Sequence, residues 1–140
     1  MSELLTYEEY KSLAASLDFP QSPFIDGKYY KGSGALLTTL NPFTGKEITS
    51  ITTASDEDVD LAVEKAREAF DQGRWCRLHP SERKDILIKL CKLLTRNRKE
   101  LAVMESLESG KPIRDCVQID LPEAIHTIKS VSYTHLRAHE

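Results

Sequence analysis

Three cysteines, Cys76, Cys91 and Cys116, are the residues of this chain that could act as covalent nucleophiles. A cysteine reacts as a thiolate, which requires an electropositive and partly exposed setting. Cys91 falls beside the apolar face of a predicted helix, where a free cysteine behaves as a small hydrophobic residue. Cys76 and Cys116 lack the flanking residues of a catalytic cysteine motif, so we interpret all three as structural. The odd count without a CxxC pair also argues against disulfides or a structural zinc site, and it favours the cytoplasm.

Two other patterns could bind a ligand. Residues 32–34, GSG, could cradle a phosphate, but a dinucleotide loop joins a strand to a helix and a β-like segment follows here. We therefore predict a hairpin loop. His135 and His139 are four residues apart, a spacing that places two imidazoles on one helix face as in a metal pair. Both lie in the last nine residues, SYTHLRAHE, which we interpret as a non-native tail without a metal site.

Composition narrows the class of protein. The chain has 140 residues, of which 40% are hydrophobic and 29% charged, as in a soluble globular domain. The net charge of −3, with both signs mixed, gives no electrostatic reason to expect nucleic acid or a membrane as partner. No apolar run approaches the ~20 residues that cross a bilayer. The first residues have no basic segment followed by an apolar one, so we expect no secretory signal.

The chain is predicted to begin with a helix that is followed by short strands. Thr6 and Glu9 form a capping-box pattern that predicts a helix over Tyr7–Leu17, ended by Pro20 and Pro23. The β-forming segments that follow are separated by turn signals such as Asp-Gly, Asn-Pro and Thr-Gly. We therefore predict a small antiparallel β meander over residues 24–53.

Residues 55–131 are predicted to be helical. Ser55 and Asp58 form a second capping box, and an apolar stripe at helical spacing continues to Phe70 before Gly73. The predicted boundaries of the later helices are a start at Pro80, a break at Asn97, an end at Gly110 and Pro112, and a bend or restart at Pro122. These helices carry broad apolar stripes with only a small sheet to pack against, which is typical of the beginning of a larger α/β protein.

Several strings, in this order and spacing, resemble the N-terminal quarter of the aldehyde dehydrogenase superfamily. The matching strings are FIDGKYY (24–30), NPFTGK (41–46), DVDLAVEKAREAF (58–70), Trp75, Glu82-Arg83 and ESLESGKP (105–112). The resemblance extends from about Pro23 to Val131 and then stops abruptly. It implies an α/β fold in which residues 1–131 are the partial N-terminal cofactor-binding domain. Residues 132–140 look like translated sequencing adapter, a hypothesis that a natural peptide spanning this junction would contradict.

The resemblance also implies a reaction. It is the oxidation of an aldehyde to a carboxylic acid with NAD or NADP, through a cysteine thiolate, an oxyanion hole and a carboxylate base. None of the corresponding motifs is found in this chain, so we expect it to be inactive alone. The string DLPEAIHTIK (120–129) with Ile113–Cys116 looks most like the branch acting on γ-glutamyl-γ-aminobutyraldehyde and related ω-amino aldehydes. The family further implies a homo-oligomer.

Family members often bind a monovalent cation with residues that correspond here to Thr39, Leu40 and Glu108. Two backbone carbonyls and a carboxylate are suitable hard-oxygen ligands. Glu108 stands where aspartate is common, and a strand edge near a helix end is an equally good interpretation of these residues.

Two other functions stay open. The chain could be a short isoform that acts as a non-catalytic interaction module, docking on full-length subunits through exposed helix faces. It could also be a helical scaffold unrelated to dehydrogenases, which would require the ordered matches to be coincidence.

Overall fold

A computed structural model gives the backbone of residues 4–137 and the side chains of residues 4–133. The described chain divides into two compact units. A β-rich unit comprises Asp18–Leu78, and a helical unit comprises the residues up to Leu17 and from His79 onward.

The β-rich unit begins with a tight hairpin. Strand β1, Phe24–Ile25, pairs with strand β2, Lys28–Tyr29, in antiparallel register. Asp26 and Gly27 form the turn with φ of 48° and 80°. Positive φ at both central residues is the geometry that matches the twist of two hairpin strands, and it explains the Asp-Gly sequence.

A second hairpin follows. Strand β3, Leu36–Leu40, pairs with strand β4, Glu47–Thr52, and a bulge separates Thr39 from Leu40. In the connecting turn, the side-chain oxygen of Asn41 accepts hydrogen bonds from the N–H groups of Phe43 and Thr44. The predicted antiparallel strands are confirmed, but they form two separate hairpins rather than one continuous meander.

The β-rich unit ends with helix α2, Asp56–Asp71. The predicted capping box is present, because the Ser55 hydroxyl accepts from the N–H of Asp58 and the Asp58 carboxylate accepts from the N–H of Ser55. Gly73 has a φ of 74° just beyond the helix, which only glycine adopts without strain.

Three of the predicted helices lie in the helical unit before Gly110. Helix α1 is Tyr7–Ala15, helix α3 is Pro80–Arg96 and helix α4 is Arg98–Ser109. The Thr6 capping box, the start at Pro80, the break at Asn97 and the left-handed Gly110 are all confirmed. Helix α1 ends before its prolines, because the Ser16 N–H and hydroxyl both donate to the carbonyl of Leu13 and tighten the last turn.

The last helix is irregular where a bend was predicted at Pro122. A short turn α5, Ile113–Asp115, leads into a π-helix, Cys116–Asp120, and then helix α6, Leu121–Arg137. The N–H of Leu121 donates to the carbonyl of Cys116, five residues earlier. Proline lacks an N–H and its ring crowds the carbonyl four residues before it, and the wider π-turn relieves that conflict.

The core of the helical unit is small. Ala102 and Cys116 are fully buried beside Val117, and Tyr10, Ile113 and Leu121 pack around them. Large apolar side chains elsewhere are exposed, in agreement with the broad apolar stripes predicted from the sequence. On the second hairpin and on α2 they are Leu36, Leu37, Leu40, Phe43, Val59, Val63 and Phe70. Among the described helices, none is long and apolar enough to cross a membrane.

Candidate functional site

The segment Leu107–Pro112, LESGKP, is fixed by its own hydrogen bonds. The Ser106 hydroxyl donates to the carbonyl of Lys111 at 2.7 Å, and the N–H of Lys111 donates to the Ser109 hydroxyl at 3.2 Å. Gly110 reverses the chain with a φ of 76°. The two hydrogen bonds satisfy the carbonyl and the N–H of Lys111, just beyond the end of α4.

Lys111 also reaches into the π-helix. Its ammonium donates to Oδ2 of Asp120 at 3.0 Å, and both side chains are partly exposed. The hydrogen bond to Asp120 raises the pKa of Lys111. The pair therefore ties the loop after α4 to the end of the π-helix. Sequence reasoning missed this contact, because a regular helix was expected where the π-turn lies.

Cys116 lies at the start of the π-helix and is fully buried. Burial raises the pKa of its thiol, and the negative charges of Asp120 and Glu105 raise it further. A neutral, inaccessible thiol is a poor nucleophile. The structural interpretation of Cys116 is therefore supported by its surroundings.

The other two cysteines differ from each other in exposure. Cys91 is buried in α3, and its sulfur lies 3.8 Å from the carbonyl oxygen of Ile125. Cys76 is exposed, with its sulfur 3.7 Å from the carbonyl oxygen of Phe70. Neither contact pairs the thiol with a base, so the described surroundings of both fit a structural role.

The loop at residues 32–34 is already filled by a carboxylate. Oδ2 of Asp58 accepts the N–H of Ser33 at 3.0 Å and its hydroxyl at 2.9 Å. The hydrogen bonds from Ser55 and Ser33 lower the pKa of Asp58, so the group is anionic near neutral pH. A phosphate would meet a negative charge and an occupied donor here. The loop joins β2 to β3, which belong to separate hairpins, so the predicted hairpin loop is wrong, and the carboxylate occupies the place that a phosphate would need.

The predicted cation ligands do not fall in one unit. Thr39 and Leu40 lie in β3, on either side of the bulge, and Glu108 is exposed in the last turn of α4. The set stays a prediction. Within the described residues, no group of three histidine, cysteine, aspartate or glutamate side chains could hold a metal ion. The side chains of His135 and His139 lie outside the described residues.

The comparison with protein families identifies the class. The model of the aldehyde dehydrogenase family matches residues 29–139, so the chain belongs to that family, as the resemblance predicted. The match continues into the segment after Val131, and the non-native origin of that segment stays a prediction.

The chain is similar to individual aldehyde dehydrogenases of known sequence or structure. The chain is 48% identical over 130 residues to the aminoacetaldehyde dehydrogenase of Pseudomonas aeruginosa; the match covers 92% of this chain and 26% of that protein. The structure of γ-glutamyl-γ-aminobutyraldehyde dehydrogenase from Burkholderia cenocepacia matches with a TM-score of 0.90 at 32% identity, over 94% of this chain and 27% of that one. An indole-3-acetaldehyde dehydrogenase of P. syringae, in complex with NAD⁺ and IAA, matches with a TM-score of 0.91 at 32% identity, over 96% and 27%. The chain thus spans about a quarter of the length of these relatives.

Proposed function

We propose that this chain forms the N-terminal part of an NAD(P)-dependent aldehyde dehydrogenase. Residues 1–131 are its share of the cofactor-binding domain, and the longer enzyme oxidises an aldehyde to a carboxylic acid. The observation that carries the proposal is the 48% identity to an aminoacetaldehyde dehydrogenase over 92% of the chain.

The chain's own residues act as scaffold in this proposal. The Lys111–Asp120 pair holds the loop after α4 against the π-helix, and the buried core around Ala102 and Cys116 supports both. The described cysteines lack a paired base, so we assign the nucleophilic thiolate to sequence other than these 140 residues. The same holds for the oxyanion donors and the carboxylate base.

The dinucleotide cofactor is proposed for the longer enzyme. When bound, it would accept the hydride from the substrate. The loop at residues 32–34 does not fit its phosphates, since the Ser33 N–H is already bonded to the Asp58 carboxylate. We therefore derive no step of the reaction through the cofactor from this chain.

Amino aldehydes are the proposed substrate class. The names of two relatives support this class, one acting on aminoacetaldehyde and one on γ-glutamyl-γ-aminobutyraldehyde. A comparison of turnover on aminoacetaldehyde and on an uncharged aldehyde of similar length, such as propanal, tests the proposal in the longer enzyme. A preference for the amino aldehyde is expected, and equal turnover would contradict it.

A monovalent cation bound by Thr39, Leu40 and Glu108 is also proposed. The bulge between Thr39 and Leu40 supports it, because bulges redirect backbone groups, and the Glu108 carboxylate is exposed. Glu108→Gln should abolish any rise in melting temperature produced by K⁺, while Glu8→Gln on α1 should leave it. An unchanged K⁺ effect in Glu108→Gln would contradict the assignment.

A homo-oligomeric enzyme in the cytoplasm completes the proposal. The reduced cysteines support the compartment. The interaction-module alternative is less well supported, because the relatives named above are dehydrogenases. Sequencing the native transcript beyond the codon of Val131 distinguishes the two. A frame that continues into a cofactor turn and a catalytic cysteine motif supports the enzyme, and a natural message encoding SYTHLRAHE without them supports the module.

A further inference from the structure

A groove in the helical unit combines positive charge with an apolar floor. It has a volume of about 520 Å³ and is bounded by α4, the π-helix and α6. Val117, Leu121, Pro122 and Ile125 supply the floor, and Arg98, His126 and Lys129 supply the polar groups. This size and this mixture of apolar wall with a few polar groups are typical of small-molecule sites.

The charge of the groove is not compensated by the described residues. No aspartate or glutamate lines it, and neither Arg98 nor Lys129 takes part in an ion pair among the described side chains. Nε of Arg98 is buried and has no hydrogen-bond partner there. A buried donor of this kind costs free energy until an acceptor reaches it.

A neighbouring groove extends the same surface. It has a volume of about 450 Å³, shares Ile125 and Lys129 with the first, and adds Lys92 and Arg96 at its edge. The described lining of both grooves therefore has one sign of charge around a shared apolar residue. A ligand with an anionic end and an apolar body matches this arrangement.

We propose that Arg98 and Lys129 bind the carboxylate of a small organic acid whose apolar body lies on Val117, Leu121 and Ile125. The planar fork of arginine pairs with both carboxylate oxygens, which would satisfy Nε. A single negative charge is also less costly to move onto an apolar floor than a doubly charged phosphate. This site is independent of the proposed dehydrogenase activity.

Calorimetric titration of the 140-residue chain with hexanoate tests the proposal. Hexanoate should bind, whereas hexanol and hexylammonium should bind at least about tenfold more weakly, the effect of losing one charged hydrogen bond. Lys129→Met removes an exposed charge and leaves the buried core unchanged. It should weaken the binding of hexanoate about tenfold. Arg98→Met should do the same, and Arg98→Lys should restore only part of the affinity because it lacks the fork.

Arg114→Met is the matched control. Arg114 is an exposed arginine of the same unit that does not line either groove. Its replacement should leave hexanoate binding unchanged, and circular dichroism of each variant should match that of the parent chain. Equal binding of hexanoate and hexanol, or hexanoate binding unaffected by Lys129→Met, would overturn the proposal. So would binding of an acidic peptide such as tetra-glutamate together with no binding of hexanoate.

Discussion

Oδ2 of Asp58 accepts hydrogen bonds from both the N–H and the hydroxyl of Ser33, at 3.0 and 2.9 Å. The same oxygen accepts the N–H of Ser55 and so completes the capping box of α2. One carboxylate thus fixes the loop between the hairpins and begins the helix that follows. This shared role explains why residues 32–34 cannot receive a phosphate.

Acid should therefore weaken the β-rich unit through Asp58. Hydrogen bonds from Ser55 and Ser33 lower the pKa of Asp58 in the folded chain. Its stabilising contribution is present above the pKa of an unfolded aspartate, about 3.9, and is lost as pH falls through the lowered folded value. Denaturant melts between neutral and acidic pH should show a steeper loss in the parent chain than in Asp58→Asn. Parallel losses in the two chains would contradict this role.

The helix cap itself can be tested separately. Ser55→Ala removes the hydroxyl that accepts the Asp58 N–H, and it should lower the free energy of unfolding by about 1 kcal/mol. Ser12→Ala is a suitable control, because Ser12 is exposed inside α1 and its hydroxyl makes no hydrogen bond among the described residues. Urea denaturation followed by circular dichroism measures both. A Ser55→Ala chain as stable as the parent would show that the cap contributes nothing.

Two glycines should differ in their tolerance of alanine. A Cβ at Gly34 would lie 2.7 Å from the carbonyl oxygens of Thr53 and Ala54, so backbone must move, at a cost of about 1–3 kcal/mol. A Cβ at Gly27 meets no neighbour, and only the φ of 80° opposes it, costing about 1–2 kcal/mol. Gly34→Ala should therefore lower the melting temperature more than Gly27→Ala does. Of the two variants, it alone should alter the near-UV circular dichroism spectrum. The reverse ranking would contradict the described geometry.

The three thiols should react at different rates. Cys76 is exposed, whereas Cys91 and Cys116 are buried, so Ellman's reagent should modify one thiol rapidly in the folded chain. Cys76→Ser should remove that phase. Because burial raises the pKa of Cys116, its protection should persist as pH rises past the ordinary cysteine value of about 8.5. Rapid modification of two or more thiols in native buffer would contradict the assigned burial.

The Lys111–Asp120 pair predicts a loss of stability at alkaline pH. The hydrogen bond to Asp120 raises the pKa of Lys111, so its contribution is complete below the pKa of an unfolded lysine and is lost as pH rises through the folded value. Asp120→Asn should reduce this alkaline loss, and added salt should reduce the difference between the two chains. Arg67 and Asp71 form an exposed pair for comparison, so Asp71→Asn should leave the alkaline profile unchanged.

Local signals in the sequence predicted most of the elements. The capping boxes at Thr6 and Ser55, the Asp-Gly turn and Gly110 each act through neighbouring backbone, and all are present. The separation of the two hairpins was missed, since it accompanies a contact between residues 25 positions apart. The π-helix was missed because its only sequence signal is Pro122, which marks a break without specifying its form.

The candidate sites were less predictable than the fold. Family strings located the segment ending in Pro112, but the pairing of Lys111 with Asp120 depends on the π-turn between them. The groove around Arg98 and Lys129 brings together residues 31 positions apart, and nothing in the local sequence indicates it. Sequence patterns report neighbours along a helix face, whereas these contacts depend on how separate helices pack.

We propose that this chain is a working N-terminal part of an aldehyde dehydrogenase and has no catalytic groups of its own. The most direct measurement replaces the matching segment of the P. aeruginosa aminoacetaldehyde dehydrogenase with residues 23–131 and follows NADH formation from aminoacetaldehyde. We expect the chimera to be active and the 140-residue chain alone to be inactive. A folded but inactive chimera, or aldehyde oxidation by the chain alone, would contradict it.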